Sequence, residues 1–154
     1  MYFWKIGSLK EEIKKGELKE KDRFLYALIY IILSAIGMEA MGLMPINNGN
    51  IWDAINSISN IVVVTIGTIF SFKANGGSKG IDFLGRYFSI SFVVAIRFIV
   101  ILIPVIIVLS AYYSFAVTKD PDLNSTAYDT IPFIIWSAAF YWRVCVHIAD
   151  VNNT

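Results

Sequence analysis

Histidine and cysteine are almost absent from this chain: it has one of each, His147 and Cys145. A lone cysteine forms no internal disulfide. Inside an apolar run it reads as a small apolar filler. A lone histidine with no second ligand near it offers no metal centre. The sequence also lacks the Gly-x-Ser-x-Gly elbow of a hydrolase and the His-Glu-x-x-His pair of a zinc enzyme. No serine and histidine come at matching depth in an apolar run. The expectation is therefore a chain that is not an enzyme, with no metal and no cofactor. Charge is scarce too, at 16% of residues with a net +1, where a soluble domain carries roughly 25%. So nearly neutral a chain has no basic field for nucleic acid.

What the sequence has instead is greasy. It is 56% hydrophobic over 154 residues, and its mean hydropathy is +0.62. The excess is gathered into long blocks, the mark of a membrane protein. The pattern predicts an all-α integral membrane protein with four transmembrane helices, at 24–44, 52–72, 87–112 and 130–148. These form one domain over 24–148, between a leader at 1–23 and a tail at 149–154. Transmembrane strands are the rival reading, because Ile and Val dominate. Such strands are only ~9–11 residues long and alternate apolar with polar residues, whereas these runs are longer and apolar on every side. A signal peptide is the rival for the first block. The charged stretch before it is too long and no small-x-small cleavage site is clear, so it reads as an uncleaved span.

Orientation follows from Lys and Arg. The leader carries Lys5, Lys10, Lys14, Lys15, Lys19, Lys21 and Arg23, and the loop after the second span carries Lys73, Lys79 and Arg86. Arg143 lies near the tail, and the other side has only Lys119. The expectation is a plasma (inner) membrane protein with both termini cytoplasmic. The 113–129 loop, with Asp120, Asp122, Asp129 and a glycosylation tripeptide at Asn124, then faces outward.

The leader pairs Ser8 with Glu11 in a capping-box pattern, and Gly16 can end the short helix. Tyr2, Ile6, Leu9 and Ile13 follow helical spacing. This amphipathic helix suits a membrane surface; the alternative is a solvated leader that only sets topology. The inner loop "KANGGSKGIDFLGRY" is glycine-rich and basic. Lys79 is followed by Gly80, so the phosphate-loop pattern fails, and no strand precedes the glycines as a dinucleotide fold needs. A flexible hairpin remains, in which Lys73, Lys79 and Arg86 can contact lipid headgroups or a partner.

Arg97 interrupts the third block, "ISFVVAIRFIVILIPVIIV". Counted from Tyr87 it lies ~15 Å deep, the middle of a ~30 Å core, and a central Arg costs ~2.5–3.5 kcal/mol on insertion scales. It needs partners. Asp53, Asn56, Ser57 and Asn60 share one face of the second span. Glu39 lies within reach in the first. The expected intramembrane polar cluster is Arg97 paired with Glu39, with Asn60 completing its hydrogen bonds and Asn56 and Asp53 extending the strip. Small residues (Gly37, Gly67, Ala138) should permit close packing, and Pro104 should bend the third span. Arg143 and His147, beside Trp142, read as interfacial.

Four spans with one acidic residue in the first are similar in outline to the small multidrug resistance transporters. The charged leader, Arg97 and the long loops depart from that pattern, so no residue role is carried over. The leading expectation is a small oligomeric pore-type or accessory membrane subunit. Its partners would be the lipid bilayer and either further copies of itself or another membrane or cytoplasmic protein. The alternatives are a small ion or solute transporter using Glu39 and Arg97, and a purely structural partner-binding protein.

Overall fold

The computed structural model describes residues 1–42, 50–116 and 126–152, without the side chains of 38–42, 109, 112–116 and 129. Every regular element in them is helical: α1 (Ile6–Lys14), α2 (Glu20–Gly42), α3 (Ile51–Ala74), a 3-10 turn at Gly77–Lys79, α4 (Phe83–Ala116) and α5 (Ala127–Asn152). Among the described residues, three segments are long and apolar enough to cross a membrane: Ile51–Ala74, Phe83–Val108 and Thr130–Asn152. The first expected span falls in α2, which is not one of the three.

Local chemistry sets the helix ends. The Asn50 side chain accepts from the Trp52 and Asp53 backbone N–H groups, and Asp53 accepts from that of Asn50 at 2.8 Å, a complete capping box. This is what Asp53 does here. In the leader, the expected Ser8–Glu11 box does not form. Helix α1 starts at Ile6 with Lys5 as its cap and no side-chain cap bond, so Ser8 is already inside the first turn. Gly16 does end the helix, at φ +68. Its N–H reaches the Ile13 carbonyl and that of Glu17 reaches Glu12, the paired bonds of a Schellman ending. Pro104 lies inside a continuous α4; it has no N–H to donate, so the carbonyl of Val100 loses its helical partner.

Helices α3 and α5 pack along each other, α4 packs on α5, α2 packs on α4, and α1 lies against α4 and α5. The α3–α5 pair is parallel, since Gly67 faces Tyr141 and Ser71 faces Cys145. Gly67 permits the approach: a Cβ there would overlap the Tyr141 ring. At Gly37 an added Cβ would meet nothing within 4 Å, so that glycine makes no close packing among the described residues. Phe98 of α4 packs edge-on against Trp136 and Phe140 of α5. Tyr26 and Tyr30 of α2 meet Phe92 and Phe88.

The core is one-sided. Ile6, Leu9 and Ile13 of α1 are buried with Ile90–Val94 of α4 and Val144, Ile148 and Val151 of α5. The apolar face of the leader is thus covered by the bundle, not left free for a membrane surface. Past Arg97 the pattern inverts, and Ile99–Ile101, Ile103 and Val105–Val108 are exposed. Along α3, Ile58, Ile61, Ile66, Ile69 and Phe70 are exposed as well. Contiguous apolar surface of this extent exceeds what a soluble monomer shows, and it is compatible with a membrane protein.

Candidate functional site

Arg97 lies ~21 Å along α4 from Phe83, where the buried half of the helix gives way to the exposed half. It is half-buried. Its Nε–H donates to the backbone carbonyl of Trp4 at 3.1 Å, its Nη2 donates to the same oxygen, and the guanidinium sits 5.4 Å from the Trp4 ring centre. The strand of leader that carries Trp4 is itself pinned. The fully buried Tyr26 takes a hydrogen bond from the Tyr2 backbone N–H and gives one to the Tyr2 carbonyl. Phe3 packs edge-on against Phe92. A hydrogen bond to Glu12, and then that carboxylate's charge, raise the Tyr2 phenol above its usual range.

The expected partners of Arg97 are Glu39 and Asn60. The side chain of Glu39 lies outside the described residues, and among those described no carboxylate pairs with Arg97. Asn60 lies elsewhere: it shares a gap with Ala95, Phe98, Ile99 and Leu102 of α4. At about 100° per residue, Arg97 points roughly 150° away from that face.

The polar strip of α3 divides. Asp53 is taken by the cap, while Asn56 and Asn60 join Ser59 and, from α5, Ser137 around a cavity of about 140 Å³. Val63, Phe133 and Ile134 complete its wall. Asn56 and Asn60 are exposed, and among the described residues no hydrogen bond satisfies either amide. Counted from Ile51, Asn60 lies ~14 Å into the helix.

The basic loop closes on itself. Arg86 Nη1 donates to Asn75 Oδ1 at 3.0 Å, and Asn75 Nδ2 donates to the Ile81 carbonyl at 3.2 Å. Asn75 is fully buried, and Gly80 comes so close to it that a Cβ would overlap the Asn75 carbonyl. Gly76 and Gly77 take the left-handed conformation that the turn needs. Asp82 receives Arg23 at 3.0 Å. Of the three cations expected to meet lipid or a partner, Arg86 is therefore committed to the fold. Lys79 is exposed, and Lys73 lies 5.8 Å from the centre of the Phe70 ring.

At the α1–α5 contact, Lys10 pairs with Asp150 at 3.0 Å, and the buried His147 keeps its Nδ1 3.9 Å from the same carboxylate. Arg143 and Trp142 are exposed. Among the described residues no three His, Cys, Asp or Glu side chains converge on a metal position. Asp120, Asp122 and Asn124 lie outside the described residues. Reading the sequence alone passed over Ser59 and Ser137, whose only signal was a hydroxyl inside an apolar block. It also passed over Trp4, for which no local signal exists.

Comparison of the chain with family models, with curated proteins and with solved structures gives no match.

Proposed function

We propose that this chain is a four-span membrane protein, with α2 as the fourth span and both termini cytoplasmic, that works as an oligomeric pore-type or accessory subunit. The observation that carries the reading is the cleft of Asn56, Ser59, Asn60 and Ser137 between α3 and α5. In hydrocarbon an unpaired amide costs several kcal/mol. One copy of the chain leaves these amides open, so a membrane setting calls for a second copy or for water to satisfy them. Asparagines inside spans associate helices, with about 1–2 kcal/mol per bond in peptides and less in whole proteins.

The Arg97–Trp4 contact supports a fastening role for Arg97, which weakens the Glu39–Arg97 transporter reading. The Lys/Arg asymmetry supports the orientation. The test is the native mass in detergent and the ion current in planar bilayers, for wild type and for Asn56→Leu with Asn60→Leu. The expected results are a wild-type oligomer that conducts and a double variant that is monomeric and therefore silent, because the asparagine bonds between copies are gone. A wild-type oligomer that is silent selects the accessory reading. A folded wild type that is strictly monomeric rejects oligomeric function.

A further inference from the structure

A groove of about 620 Å³ runs between α3 and α5 toward the end of the bundle that carries the 75–82 hairpin. That volume is within the usual range for small-ligand sites, ~300–1,000 Å³. Its lining is apolar except for one charge, Lys73. The space exists because α3 and α5 meet through Gly67 and because Ala138 and Ala149 are too small to fill it. We infer that the groove binds one anionic phospholipid, with an acyl chain along α3 and the phosphate at the Lys73 ammonium.

Length and charge both fit this occupant. From Val62 to Lys73 the groove follows α3 for ~16 Å at 1.5 Å per residue, about half of a ~30 Å hydrocarbon core. One leaflet's chain would lie in it with its headgroup at the mouth. Lys73 is exposed there and forms no ion pair among the described residues; it only overlies the Phe70 ring. Trp142 lines the same groove and is 66% exposed; in the Gly67–Tyr141 register it lies ~8 Å from the level of Lys73, beside the acyl chain and not at the phosphate. A helix from a second copy would fill the apolar length and would also have to bring a carboxylate to the ammonium. Free phosphate would use the ammonium and leave the groove empty. An anionic lipid uses both, and its net negative charge is what a lysine at the headgroup favours. The inference stands apart from the Asn56–Asn60 cleft, so either can fail alone.

The test is native mass spectrometry of the full chain with phosphatidylglycerol or phosphatidylcholine of matched chains. Wild type should retain several-fold more of the anionic lipid. Lys73→Gln should erase that preference, and Lys73→Arg should keep it. Ala138→Phe, at an exposed lining position, should reduce retention of both lipids while thermal stability stays near wild type. Equal retention of the two lipids by wild type would overturn the proposal. So would a preference that survives Lys73→Gln, or lipid-free dimers joined through Cys145, which also lines the groove, under mild oxidation.

Discussion

The guanidinium of Arg97 holds the backbone carbonyl of Trp4, 93 positions away in sequence, and lies over that residue's indole. Two donors converge on one oxygen while a planar cation faces a ring. Arginine can do both at once; lysine, a point charge on a flexible stem, cannot. The contact ties the leader to the middle of the longest helix, where a bare arginine would otherwise stand beside exposed Ile and Val side chains.

Arg97→Ala should therefore loosen the leader. Hydrogen bonds from a charged group are worth about 1.5–3 kcal/mol net, and a loss of that order is expected in thermal unfolding in detergent. Protease cleavage before Ile6 should speed up in parallel. Adding Glu39→Leu should recover little, because the partner lost is Trp4. Substantial recovery in the double variant would restore Glu39 as the counter-ion.

Gly67→Ala should destabilise the α3–α5 pair, since its new Cβ would overlap the Tyr141 ring. Overpacking of this kind costs about 1–3 kcal/mol. Tyr141→Ala removes the two nearest ring atoms but keeps the Cβ at 2.6 Å, so the double variant should be less unstable than the sum of the singles only in part. Strict additivity of the melting shifts would mean the helices separate without strain.

Asn75→Ala should open the hairpin. It strips the acceptor from Arg86 and the donor from the Ile81 carbonyl. Both bonds are only part-buried, so each loss should be at the low end of the ~1–3 kcal/mol of a buried orphan, and exchange of the 76–82 amides should rise severalfold. Lys79→Ala, at an exposed cation outside this network, should leave exchange unchanged.

Topology can be read directly. Reporters fused at residue 80 and after residue 148 should report cytoplasm, and one at 122 should report the opposite side, because all the flanking basic residues but Lys119 lie on one side. A cytoplasmic signal from 122 would remove the four-span arrangement.

Much of the helical pattern was legible because it is local. Predominantly apolar runs past ~18 residues favour helices, and the blocks at 52–72, 87–112 and 130–148 lie within α3, α4 and α5. The Ile6–Leu9–Ile13 stripe and the Gly16 stop were legible for the same reason. The Ser8 cap was misread because a helix can start without a side-chain cap: the Leu9 N–H bonds the Lys5 carbonyl, and the helix is under way at Ile6, two residues before Ser8.

What the sequence determined by itself is the period, length and polarity of each segment, including that Arg97, Asn56 and Asn60 would interrupt apolar helices. Which side chain meets which was decided by tertiary structure. Depth alone ranked Glu39 and Asn60 as partners for Arg97, but depth along an axis says nothing of the direction a side chain takes around it. The rotation of α4 turns Arg97 away from Asn60 of α3 and puts Trp4 under the guanidinium. The Gly67–Tyr141 approach and the Lys73 groove likewise depend on how α3 and α5 are rotated about their own axes. Packing across dozens of intervening residues sets those rotations, and no stretch of either helix encodes them alone.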